Sequence, residues 1–358
     1  MFAFYIVGIL GLALLMVVHE TGHLLAARAF GMRVVRFSIG FGPPLWRYQA
    51  PKSDTVYQVA PIPFVAYVQI AGMNPFEEVD PEDKGSYANA SLVARIVTIV
   101  AGPLANYLFA SVLFFIAIFV GGDMQPTTSV ELLDGPAKAA NVQNGDTIVA
   151  IDGVKVTDWD QMRNLIMARA GKSLKVEVAR GGDRQSFAVT PVVRDGRAMI
   201  GVQPVYKPVS VGLKESVVRS IEGPAVVVAQ LVLGLGRMIT GQEKPQLTGP
   251  VGIVKEAKRA AERSLTEYFK LLAILSAYLG GFNLLPFPAL DGARLGFLSY
   301  EAVTRRKPNA KVEAHVHFVG LLMLLALIFV VSGKELFGHE DPQVPHKGAP
   351  HPAPSGKR

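Results

Sequence analysis

The chain of 358 residues contains no cysteine. That excludes disulfides and thiolate metal sites, so any metal must be held by His, Asp or Glu. Charge is also scarce: 18% of residues are charged against 50% apolar, and the mean hydropathy is +0.31, whereas a soluble domain carries about 25% charged residues. These values indicate an integral membrane protein. The net charge of +7 comes from 36 basic and 29 acidic residues. Because the basic residues are spread between apolar spans, they read as contacts to anionic lipid and as topology signals, with no nucleic-acid partner expected. No internal repeat is visible.

Four stretches satisfy the roughly 20 apolar residues a bilayer crossing needs. Phe2 to Val18 is uncharged and continues past a HETGH group; Ile96 to Gly122 is uncharged throughout; Leu271 to Leu290 and Ala314 to Gly333 follow. A fifth run, Gly223 to Gly236, is too short and is flanked by Arg219, Glu222 and Arg237, which predicts a helix lying in the interface or packed on the bundle. A signal-peptide reading of the first span would use Ala27-Arg28-Ala29 for cleavage, but the basic n-region is missing. Short-loop charge sets orientation. Arg294, Arg305, Arg306, Lys307 and Lys311 against Glu301, and Arg28, Arg33 and Arg36 after the first span, place those loops in the cytoplasm. Both termini and the stretch between spans two and three are then extracytoplasmic.

Within that stretch, SVELLDGPAKAANVQNGDTIVAIDG and SLKVEVARGGDRQSFAVTPVV alternate as strands do, with Asn-Gly-Asp and Asp-Gly steps as turns. The segment resembles a PDZ domain of the bacterial, circularly permuted kind. Asn141 stands where the family commonly has glycine, which predicts a differently shaped peptide-binding loop. Peptide capture by strand addition and steric gating of access are both open for this domain.

In His19-Glu20-Thr21-Gly22-His23 the two histidines lie four apart, hence on one helix face, where both imidazoles can reach one ion. Neutral imidazole suits zinc, and the adjacent Glu20 can take a proton from metal-associated water without ligating. A catalytic zinc keeps three protein ligands. Asp291 is the best third ligand, being the only carboxylate in the third apolar run and lying at its cytoplasmic end. The plain alternative is a water-facing Asp-Gly turn that ends a helix. Pro286 and Pro288 break the helix just before it, and broken backbone at membrane depth is tolerated where it lines a protein cavity.

HETGH and NLLPFPALDG, the latter fitting NxxPxxxLDG, together resemble the site-2 protease family of intramembrane metalloproteases, most closely its bacterial RseP-like branch. SIGFGP, AGPLAN and TGPVGI occur in the expected order, so the resemblance runs from Met1 to about Val331. It implies a zinc ion held by His19, His23 and Asp291, Glu20 as general base, and Asn283 helping to hold substrate or the developing oxyanion. It also implies that Val35 to Met73 forms a membrane-reentrant β-hairpin able to pair with an unwound substrate strand. Here Val65-Ala66-Tyr67-Val68 replaces the usual Gly-Gly-Tyr-Val, which puts close backbone approach in doubt.

The predicted organisation is a polytopic α-helical membrane protein: residues 1–30 form the first span with HExxH, 31–91 a cytoplasmic-side loop with the hairpin, and 92–122 the second span. Residues 123–207 form one inserted extracytoplasmic PDZ domain and 208–265 an amphipathic connector. Residues 266–292 form the third span, 293–311 a basic loop, 312–333 the fourth span and 334–358 a disordered tail. Asn106, inside the second span, reads as a helix-tying residue in preference to a site contact. His315 and His317, two apart on a helix, point to opposite sides and cannot share an ion; they read as interfacial. His339, His346 and His351 lie among Pro and Gly in the tail.

The expected function is a zinc endopeptidase of the bacterial cytoplasmic membrane, with its site near the cytoplasmic side. It would cut transmembrane segments of single-span proteins such as anti-sigma factors or remnant signal peptides, while its PDZ domain takes peptide ends. The rival readings are a non-catalytic PDZ scaffold or chaperone, which would not need Glu20, and a zinc transporter, which would want polar ligands on several spans.

Overall fold

The computed structural model describes residues 2–63, 65–74, 76–194, 197–242 and 248–337. It divides into two compact units, one made of Met1–Val120 and Leu213–Arg358, the other of Gly121–Gly212.

In the first unit, helix α1 (Phe2–Ala29) leads into four short strands, β1 (Val34–Ile39), β2 (Trp46–Gln49), β3 (Val56–Val59) and β4 (Tyr67–Ile70), and then into helix α2 (Leu92–Gly121). At 1.5 Å per residue the 28 residues of α1 extend about 42 Å, more than a bilayer core. The strands form one sheet in the order β2-β3-β1-β4. Strand β1 runs parallel to β3, with Phe37 opposite Tyr57, and antiparallel to β4, with Phe37 opposite Val68. The stretch expected to hold a reentrant β-hairpin forms a four-stranded sheet. Within this sheet, among the described residues, the local hairpin is β2-β3, and it serves as the crossover that brings β3 alongside β1. Buried polar side chains tie the β3 segment to β1: Thr55 Oγ1 donates to the Val34 carbonyl at 2.7 Å, and Gln58 donates to Ser38 Oγ at 3.0 Å. Alternation along one strand does not tell which other strand it pairs with.

In the second unit, strand β5 (Asp123–Leu132) is followed by α3 (Pro136–Ala139), β6 (Thr147–Ile151), β7 (Val154–Lys155), α4 (Trp159–Met167), β8 (Leu174–Arg180), β9 (Asp183–Val189), β10 (Val192–Arg194), β11 (Arg197–Met199) and β12 (Val202–Val209). The main sheet has the order β12-β5-β6-β8-β9, with β7 paired to β6, and β10-β11 form a separate ribbon. Alternate residues of β8, Leu174, Val176 and Val178, point into a core with Val130, Ile148, Met162 and Val189. Asp158 caps α4 by accepting the Gln161 N–H at 2.8 Å. Asn141 takes φ 66°, the left-handed conformation that asparagine tolerates better than most non-glycine residues. The backbone turn that glycine would make is therefore kept.

The first unit resumes with α5 (Leu213–Ile239), α6 (Pro250–Arg263), α7 (Leu265–Asn283), α8 (Asp291–Thr304) and α9 (Ala310–Phe337). Four helices among the described residues are long and apolar enough to cross a membrane, namely α1, α2, α5 and α9. This set differs from the expected one. The 14-residue run thought to be too short sits inside α5, a continuous 27-residue helix whose polar first turns are supported by an Arg219–Glu215 pair at i, i+4 spacing. The expected third span is not one helix: α7 ends at Asn283 after 19 residues, Pro286 and Pro288 interrupt it, and α8 starts at Asp291. The expected basic loop is thus largely helical. Helix α9 runs beyond Gly333, because Glu335 on its last turn accepts the Gly249 and Gly252 N–H groups at the start of α6. The disordered tail is corrected accordingly for residues 334–337, and the three tail histidines lie outside the described residues.

Two apolar clusters hold this unit together. One joins Leu15 of α1, Ala110 and Phe114 of α2, Val227 of α5, Ala257 of α6 and Leu272 and Ala277 of α7. The other joins Leu24 and Ala27 of α1, Phe37 and Ile70 of the sheet, Ile99 of α2 and Leu298 of α8. His19 and His23 fall on α1 between the two. Small residues allow backbones to approach closely. A Cβ built on Gly22 would lie 2.2 Å from the Ala101 carbonyl oxygen, and one on Gly280 2.8 Å from that of Pro103.

Candidate metal centre

Three side chains separated in sequence converge between α1 and the start of α8. His19 Nε2 lies 3.1 Å from Asp291 Oδ2, His23 Nε2 lies 3.3 Å from the same oxygen, and the two Nε2 atoms are 3.2 Å apart. Among the described residues this is the group of His and carboxylate side chains arranged to hold a metal. The four-residue spacing on α1 puts both imidazoles on one face. Asp291 comes from a different device: the prolines end α7, the chain turns, and Asp291 opens α8, where the partial positive charge of a helix start favours a carboxylate. A Cβ on Gly292 would sit 2.1 Å from the Leu285 carbonyl oxygen, so the residue after Asp291 must be glycine for the turn to close. The water-facing turn weighed for Asp291 is therefore not what forms.

The triangle fits zinc. Nitrogen and oxygen ligands at about 2.0–2.1 Å around a tetrahedral ion lie about 3.3 Å from one another, and the three observed separations are 3.1, 3.2 and 3.3 Å. The donor set, two imidazoles and one carboxylate, matches catalytic rather than structural zinc sites, since three protein ligands would leave one position of the ion to water or substrate. His23 is further fixed by its Nδ1–H, which donates to the Thr98 carbonyl at 2.7 Å. That bond leaves the Nε2 lone pair for an ion and orients the ring, as carbonyl partners of metal-binding histidines do. Both histidines are 4% exposed, while the Asp291 side chain keeps 16%. The open side therefore lies toward the carboxylate.

Glu20 follows His19 and points to the sheet, where its Oε2 accepts the Val68 N–H at 2.9 Å. Strand β4 is a sheet edge, with β1 on its other side. The outer edge of β4, with no further strand paired to it among the described residues and with its Val68 N–H held by Glu20, therefore faces α1 beside the histidines. Asn283 is the last residue of α7, half-buried, and its Nδ2 donates to the Leu279 carbonyl of its own helix at 2.9 Å; it is not bonded to the His–His–Asp group. Asn106 is fully buried, and its carbonyl, accepting Ser276 Oγ at 2.9 Å, ties α2 to α7. His315 is exposed and bonds the Lys311 carbonyl, whereas His317 turns inward to the loop before Asp291.

Sequence reasoning missed several supports. Gly102 packs directly on the His23 ring, and Arg95 of α2 grips Glu301 of α8 through two hydrogen bonds between largely buried side chains. A lone arginine three residues into an apolar run was the available signal for the second, since membrane-depth charge demands a partner. The Thr98 carbonyl and Val68 N–H are backbone groups and carry no residue signal.

Known proteins match this chain over most of its length. The profile of peptidase family M50 matches residues 7–327. A zinc metalloprotease RasP of Geobacillus kaustophilus is 30% identical, covering 89% of this chain and 94% of its own length. Provisionally named zinc metalloproteases of Nostoc sp. and Mesorhizobium japonicum are 32% and 33% identical, covering 89% and 91% of this chain and 92% and 96% of their own. Matches of that breadth, over a chain with four apolar helices, place it in peptidase family M50, the site-2 proteases, as a multi-pass membrane metalloprotease that uses zinc.

Proposed function

We propose that the chain is an intramembrane endopeptidase of the RseP-like branch, with zinc held by His19, His23 and Asp291 and with Glu20 as general base. The observation that carries this reading is the 3.1–3.3 Å triangle of ligand atoms beside a carboxylate held on a strand edge. Zinc bound there supplies Lewis acidity and lowers the pKa of associated water. Glu20 takes the water proton as the oxygen–carbon bond forms, and returns it to the amine as the carbon–nitrogen bond breaks. Strand β4 offers its outer edge to an extended substrate segment, which explains why a helical substrate has to unwind before its carbonyl is reachable. Asn283 then holds substrate once its amide leaves the Leu279 carbonyl.

The substrates would be transmembrane segments of single-span proteins, including anti-sigma factors and remnant signal peptides, in the bacterial cytoplasmic membrane with the site near its cytoplasmic side. Residues 123–207 would form an extracytoplasmic PDZ domain; β9 and β12, the edges of its sheet, are where peptide ends would add. Phe41, Leu45, Trp46 and Ile62, all exposed apolar residues at the sheet tips, suit insertion of that sheet among lipid. Purified protein should cleave a transmembrane reporter, and Glu20→Gln should lower the rate by at least about 100-fold while one zinc per chain is retained. Full activity in that variant would sink the assignment.

A further inference from the structure

We propose that His317 is a positioning residue for the metal centre: its Nδ1 accepts the Ala289 N–H and so fixes the turn that delivers Asp291. The inference rests on Asp291 being a zinc ligand. Ala289 stands two residues before Asp291 and has φ 76°, a left-handed conformation that a non-glycine residue holds only when its surroundings impose it, at a cost of about 1–3 kcal/mol. Neighbouring groups in the turn bond among themselves: Phe287 N–H to the Leu285 carbonyl at 2.7 Å and Leu290 N–H to the Phe287 carbonyl at 3.1 Å. The Ala289 N–H instead goes to His317 Nδ1 at 3.2 Å, across 28 residues.

That bond requires a neutral imidazole with its proton on Nε2. One turn along the same face of α9, Gly320 abuts Pro288, where an added Cβ would come within 2.2 Å of the proline Cβ and 2.5 Å of its carbonyl carbon. The His317 ring also lies 6.1 Å from the ring of Phe297 on α8. Helix α9 therefore meets the turn before Asp291 at Pro288 and Ala289 and the helix after it at Phe297. The inward direction of His317 gives it a role that its interfacial appearance in the sequence hides.

The test separates the acceptor from the ring. His317→Phe keeps an aromatic ring against Phe297 and removes the acceptor; His317→Asn loses the ring and keeps an oxygen close to where Nδ1 stood. Zinc affinity of the full-length protein in detergent, read by chelator competition, should fall about 10–100-fold in His317→Phe, the range typical of groups that orient metal ligands. It should stay within about threefold of wild type in His317→Asn. Reporter cleavage should follow through kcat with KM unchanged. Loss of zinc in His317→Asn overturns the proposal whether or not the Phe variant folds, as does wild-type affinity in His317→Phe. Asp291→Ala is measured alongside: if it keeps zinc, the ligand assignment itself fails, and if it loses zinc while His317→Phe does not, only the positioning role fails.

Discussion

Gly102 gives the sharpest test of how tightly the centre is packed. A Cβ at this position would lie 2.3 Å from His23 Nε2, 2.5 Å from Cε1 and 2.9 Å from Cδ2, against the 3.5–4.0 Å of an unstrained carbon contact, so about 1 Å of relief is needed. Helix α2 cannot easily supply it by backing away from α1, because Gly280 of α7 already rests on the Pro103 carbonyl. The His23 ring must move instead, against its bond to Thr98. Losing a group that orients a metal-binding histidine typically costs about 10–100-fold in metal affinity, and here the ring itself is displaced, so Gly102→Ala should weaken zinc binding by about 100-fold, or about 3 kcal/mol. Fold stability should change less. Alanine gains about 1 kcal/mol of helix propensity, overpacking costs about 1–3 kcal/mol, and a Cβ before Pro103 adds a small clash, leaving a net loss of at most about 2 kcal/mol. Chelator competition reads the first quantity and thermal unfolding of the metal-free protein the second. Gly296→Ala on α8, where an added Cβ meets nothing within 4 Å, is the control and should leave zinc affinity unchanged. Gly102→Ala binding zinc within threefold of wild type would refute the packing argument.

Two further predictions concern charges. Arg95→Met leaves Glu301 buried without its partner, which should cost about 3–5 kcal/mol and, because α8 carries Asp291, lower zinc affinity too; the swapped pair Arg95→Glu with Glu301→Arg should recover part of both, and equal damage in the swap would refute the pairing role. In the second unit, the Arg180 guanidinium beside the buried Asp146 carboxyl, at 2.6–2.7 Å, holds it below the usual carboxylate range. A lowered folded pKa means stability that is present above the ordinary value of 3.8 and is lost as pH falls through the folded value. Hydrogen exchange of β6 amides in the full chain, corrected for intrinsic rates, should therefore show protection falling below about pH 4. Asp146→Asn should flatten that acid limb, and an unchanged limb would count against the pair as its source.

What could be read from the sequence was what periodicity and local spacing encode. The four-residue spacing of His19 and His23 specifies a shared helix face by itself, and Asp291 after two prolines marks a broken segment at membrane depth. Which residues the fold would bring together was thus legible, because each half of the group is local and hydrocarbon leaves few reasons for such residues to be there. The extent of helices was less so: 14 apolar residues in the middle of α5 gave no sign that the charged residues before them continue the same helix through an Arg219–Glu215 pair. Strand pairing was not legible at all, since the parallel β1–β3 register joins segments about twenty residues apart.

The supports of the site show the same division more sharply. Glu20, His23 and Asp291 each lean on a group whose residue type carries no chemistry: the Val68 N–H, the Thr98 carbonyl and the Ala289–Leu290 turn. The glycines at 22, 102, 280, 292 and 320 serve these contacts by absence, each leaving room for a backbone or ring that a single methyl group would displace. A catalytic constellation in a membrane bundle therefore has two kinds of residue requirement. One is the set of side chains that can bind an ion or move a proton, and it is visible as motif. The other is the set of positions where nothing may project, and it becomes visible only when the helices are set against one another.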